Sequence, residues 1–174
     1  MRIPTLYQFF RHQLGDGFAA RGIVEPATVD YVSDVLTRFA QTRSLYAMTD
    51  TQGRALEYVV DFLTAVWGDE SGSVDRARER SLLRHLGEYT LFMSGLFRER
   101  LKARGELDYY MARGASAYGH CADVEPRSHE RAVFRRLHAS FTRIADSLND
   151  LRRERLPLTL TPTSENMVVA LWRR

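Results

Sequence analysis

Cysteine, lysine and proline are scarce in this chain of 174 residues, and each scarcity excludes something. The single cysteine, Cys121, cannot close an internal disulfide, and no Cys/His group has the spacing of a zinc site, so stability must come from packing. No stretch approaches the roughly 18 apolar residues of a membrane span, and Met1-Arg2-Ile3-Pro4-Thr5 opens no signal-like apolar run. A cytoplasmic protein without a membrane partner is the expectation. Lysine is represented by Lys102 alone, against 24 arginines. That bias reads first as a GC-rich genome and only second as phosphate recognition, although a guanidinium fork suits phosphate and carboxylate wherever it clusters. The formal charge of +3 and pI near 9.2 arise from 25 basic and 22 acidic residues interleaved along the same segments, not from a basic stripe, so a nucleic-acid partner is only weakly indicated.

Apolar residues instead recur at steps of three and four, the signature of a buried helical face. Five prolines leave long stretches uninterrupted. The spacing predicts an all-α, single-domain bundle of about six to seven helices over 1–174: approximately 5–20, 26–41, 54–67, 74–103, 107–122, 128–155 and 164–173. Thr5 is placed to cap the first, whose face is Leu6, Phe9, Phe10 and Leu14, and Pro26 suits the first turn of the second. Residues 42–53 read as loop or broken helix. In the long fourth helix, 76–84 is mostly charged, whereas Leu91-Phe92-Met93 and Leu96-Phe97 are apolar nearly all round. Gly87 and Gly95 there predict either a kink or the close approach of another helix, and Gly114 and Ala117 in the fifth predict tight packing against the fourth. The sixth has the cleanest seam, Phe134, Leu137, Phe141, Ile144, Leu148 and Leu151, and Pro157 closes it. For 168–172, a strand competes with the terminal helix.

Through Leu86-Gly87-Glu88-Tyr89-Thr90-Leu91-Phe92-Met93-Ser94-Gly95-Leu96-Phe97 and Asp108-Tyr109-Tyr110-Met111-Ala112-Arg113-Gly114-Ala115-Ser116-Ala117-Tyr118-Gly119, the chain resembles a family of uncharacterised bacterial all-helical proteins. The likeness extends from about Tyr31 to Trp172, and Ser164–Trp172 is similar to the family's closing helix, which implies a terminal helix in place of the strand. No activity is established for that family, so the resemblance assigns no functional residue.

Three constellations could carry chemistry. Helical bundles hold di-iron centres through Glu-x-x-His motifs, but that motif is absent. His85 and Glu88 form the reversed spacing and supply at most two ligands, so neither metal nor other cofactor is expected. A second pattern resembles the HEPN ribonucleases, in which Arg-x4–6-His sets a histidine base and an arginine at the RNA backbone. Arg80/His85, Arg78/His85, Arg113/His120 and Arg131/His138 have that spacing. With 24 arginines and five histidines about two such matches arise by chance, and Gly114 stands where the motif carries a polar residue. Third, Tyr89, Tyr109, Tyr110 and Tyr118 lie near glycines and could line a small-molecule pocket, against the simpler reading of core tyrosines with hydroxyls at the rim. No Gly-x-Ser-x-Gly elbow, Walker loop or dinucleotide fingerprint occurs.

The leading expectation is a non-enzymatic protein that acts by binding, as a homodimer or with another protein partner. Its motives are the apolar second half of the fourth helix and the terminal helix bearing Trp172, both of which need somewhere to dock. The alternatives are the arginine–histidine ribonuclease or RNA-binding module and a tyrosine-lined sensor.

Overall fold

In the computed structural model, which describes residues 5–40 and 76–155, six helices and no strand are found among those residues. They are α1 (Leu6–Ala19), α2 (Pro26–Phe39), α3 (Arg76–Leu96), α4 (Arg98–Ala103), α5 (Leu107–Val124) and α6 (Ser128–Arg155). They form a single-domain helical bundle. The expected helices at 54–67 and 164–173, the broken segment 42–53 and the helix-or-strand alternative at 168–172 lie outside the described residues.

Local chemistry sets the element ends. Thr5 completes a capping box on α1: its Oγ1 accepts from Gln8 N at 3.2 Å and its own N–H donates to Gln8 Oε1 at 2.9 Å. Pro26 opens α2 where its missing N–H costs nothing. Between α5 and α6 the side chain of Arg131 folds back, Nε donating to Glu125 O (2.9 Å) and Nη2 to Pro126 O (3.0 Å), and thereby ties the turn.

Helices α3, α5 and α6 pack on one another, and the α1–α2 hairpin docks on the α3 and α6 side. From Leu82 to Phe97 every residue but Arg84 is buried, so the all-round apolar stretch is the centre of the core. Gly87 and Gly95 serve close approach: a Cβ on Gly95 would stand 2.5 Å from that of Leu148 in α6, and one on Gly87 would stand 3.0 Å from the Tyr118 ring. Gly114 seats Thr90 of α3 and Phe141 of α6 where its Cβ would be. Each glycine therefore receives a side chain from a neighbouring helix.

The expected single helix over 74–103 is two. The chain breaks at Phe97 (φ −120°, ψ 30°), where neither glycine nor proline stands. In an unbroken helix Ser94 O would accept from the backbone N–H of Arg98; here it accepts from Arg98 Nε at 3.0 Å, and Arg98 Nη1 pairs with Asp146 of α6 at 2.8 Å. A side-chain donor replaces the lost backbone one, and the same guanidinium anchors the break to α6.

Candidate functional site

Polar groups enter this apolar interior around Glu88, which α3 carries on the face toward α2 and which is only 2 % exposed. A buried carboxylate is costly unless paired and hydrogen-bonded. Arg38 of α2 grips it with both terminal nitrogens (Nη1 to Oε2, 3.1 Å; Nη2 to Oε1, 2.9 Å), Arg84 Nε donates from one turn earlier in α3 (2.9 Å), and the Tyr31 hydroxyl donates at 2.7 Å. Burial pushes the Glu88 carboxyl up, but the hydrogen bonds and charges of Arg38, then Arg84, outweigh it and hold the group below the ordinary range. Asp34 balances the second arginine through Arg38 Nε at 2.7 Å. Behind Tyr31 lies Tyr118, wholly buried, its ring 6.1 Å from those of Tyr31 and Phe134. Its hydroxyl has no partner of good hydrogen-bond geometry, and burial pushes both phenols well above their usual range.

This network backs a cleft of about 480 Å³ between α2, α3 and the start of α6. Tyr31 and Phe134 meet edge to face at 5.9 Å as its aromatic floor, with Ala27 and Val133 beside them. The walls are Arg84, whose guanidinium lies 5.5 Å from the Tyr31 ring centre, Arg127, His129, Asp30 and Glu130. Most of these charges are already engaged. Asp30 accepts from Arg11 Nε at 2.6 Å, and Arg127 pairs with Glu125 (2.9 Å) and Glu130 (3.3 Å).

The residues singled out from the sequence are distributed differently. Arg113 and His120 lie seven residues apart on an exposed face of α5, about two turns along the axis, with the Arg113 guanidinium 5.2 Å from the Tyr109 ring. His85 is buried against Phe39 (5.5 Å), whereas Arg80 lies at the surface within electrostatic reach of Glu125, and Arg78 is exposed. Arg131 closes the α5–α6 turn, and His138 donates through Nδ1 to Ala115 O at 2.6 Å. Tyr89 and Tyr110 pack together at 6.3 Å; Tyr118, two turns further along α5, belongs to the Tyr31 cluster. Glu88 has its oxygens occupied by arginine and tyrosine donors. Among the described residues no three His, Cys, Asp or Glu side chains gather as a metal would require. Cys121 is buried and its thiol is pushed up to about 12, while the adjacent His120 is exposed.

Sequence reasoning missed Tyr31, Arg38, Arg84 and Phe134 as a group. A signal was present: an acidic residue inside the run 85–97 needs a cationic partner from another helix, and Arg38 is the only basic residue of α2. Among the described residues no helix is long and apolar enough to cross a membrane.

The described residues thus define an all-helical bundle with a buried carboxylate, held by arginine and tyrosine donors, beneath an aromatic-floored, charge-rimmed cleft. No family model, curated protein or solved structure matches the chain.

Proposed function

We propose that the chain is a non-enzymatic binding protein whose recognition site is the cleft between α2, α3 and the start of α6. The observation that carries this reading is the aromatic corner of Tyr31 and Phe134, held from behind by the Glu88 network and rimmed by two arginines. Concave, mostly apolar surfaces with a few fixed polar groups suit ligand capture. Chemistry has less support. The groups whose acidity the fold alters move away from neutrality, Glu88 down and the phenols and the Cys121 thiol up, which suits none of them to proton transfer near pH 7.

The docking motive for self-association drawn from the fourth helix is lost, because its apolar half lies in the core. Among the described residues only Val24 and Tyr109 are large exposed apolar side chains. Small-molecule binding therefore takes precedence over a broad protein interface.

Replacing Ala27, at the cleft wall, by tryptophan tests the site. In amide-resolved NMR against a mixed set of aromatic fragments, wild-type protein should show shifts clustered at 27–31, 84 and 127–134. Ala27→Trp should abolish them while its circular dichroism stays helical. Fragments that bind elsewhere, or that bind the variant equally well, would remove the cleft from consideration.

A further inference from the structure

Resting on that cleft reading, we infer that its ligand is an aromatic monocarboxylate. The wall arginines keep donors beyond those their acidic partners take up. Asp30 is held by Arg11 Nε and by the Tyr7 hydroxyl (3.3 Å), and Glu130 shares Arg127 with Glu125, so each acid already has a cationic partner before a ligand arrives. Arg84 spends Nε on Glu88 and lies within hydrogen-bonding reach of the Tyr31 hydroxyl, which leaves the remaining N–H groups of its fork for a ligand. Its plane is fixed by the Tyr31 ring beneath it and by the Glu88 carboxylate, so the free edge of the fork is presented already oriented. Arg127 commits Nε and Nη1, which leaves Nη2 on the same rim. The 28-residue α6 starts at this point: its first backbone hydrogen bond runs from Arg131 N to Arg127 O, so the N–H groups of 128–130 have no intrahelical acceptor, and the positive end of the helix dipole faces the rim.

The other half of the ligand is set by the floor. Tyr31 and Phe134 form an apolar corner, closed by Ala27 and Val133, that takes the face and edge of a flat ring. A volume of about 480 Å³ admits a fused bicyclic body with its carboxylate at the arginines. Asp30 and Glu130 on the same walls select against a second negative charge, which favours a carboxylate over a phosphate monoester.

The test uses four probes with one body: 2-naphthoate, 2-naphthamide, 2-naphthylmethylamine and 2-naphthyl phosphate, each titrated into the full chain and followed by amide shifts. The carboxylate should bind about tenfold more tightly than amide or amine. Arg127 is largely exposed, so Arg127→Gln should fold normally; it should reduce carboxylate affinity about tenfold and leave the amide unchanged. Amide or amine binding in the cleft without a carboxylate preference overturns the ligand class and leaves the cleft standing, as does tighter binding of the phosphate. If none of the four perturbs the cleft, the ligand class and the cleft reading fail together.

Discussion

At the residue scale the most consequential side chain is Glu88, a carboxylate in the middle of the core whose charge two arginines and a tyrosine accommodate. Glu88→Gln leaves Arg84 without its counter-charge and Arg38 with Asp34 alone, and breaking a buried pair from one side should cost about 3 kcal/mol, the lower end of the usual range because both arginines keep contact with water. The pH dependence has a definite sign. Folding lowers the Glu88 pKa, so its stabilisation is complete above the ordinary carboxylate value near 4.5 and is lost as the pH falls through the folded value. Urea midpoints measured from about pH 6 down to about pH 3 should therefore show wild type and variant converging on acidification. A gap that stays constant or widens would show that Glu88 is not held ionised by the fold.

At the element scale, helix packing hinges on where side chains are absent. Gly114 lies in mid-helix, where alanine would ordinarily stabilise by about 1 kcal/mol, but Thr90 and Phe141 already fill the space its Cβ would take. Thr90 is itself fixed, its Oγ1 donating to Leu86 O at 2.7 Å, so it cannot easily give way. Gly114→Ala should therefore destabilise by about 2 kcal/mol in denaturant titration, an overpacking cost that exceeds the propensity gain. An increase in stability would mean that α3 and α5 can slide apart freely. The helices themselves were legible from spacing: the predicted α1, α2, α5 and α6 fall within about two residues of those observed. The break at Phe97 was not, because no residue at that position signals it; an arginine side chain from the next turn makes it tolerable.

For the whole molecule, stability should be unequally shared. From Leu82 onward helix α3 is buried on nearly every face between α5, α6 and the hairpin, whereas α1 and α2 each bury one side, α1 through Phe10, Leu14 and Phe18. The hairpin is pinned to α6 by ion pairs of Arg21 with Asp146 and Asp150 and to α3 by Arg38 with Glu88. Native-state hydrogen exchange should find α1 and the N-terminal half of α2 opening below the free energy of global unfolding, with the second half of α3 exchanging only through it. Equal protection in the hairpin and the α3 core would indicate one indivisible cooperative unit. Because Tyr31 rides on α2, such opening also disassembles the cleft, and a bound ligand should raise hairpin protection.

The sequence by itself determined the helical class and most of the described helix ends. Periodicity, capping residues and proline placement are local properties, set within a few residues of where they act. It also marked the second half of the long fourth helix, with Leu91-Phe92-Met93 and Leu96-Phe97, as central to the core. Only the tertiary structure decided which polar residues meet. Tyr31, Arg38, Arg84 and Glu88 come from two helices separated by some fifty positions, and Phe134 comes from a third. The sequence pairings of arginine with histidine followed spacing along one helix, whereas the convergent cluster follows helix packing, which brings together residues that no local pattern connects.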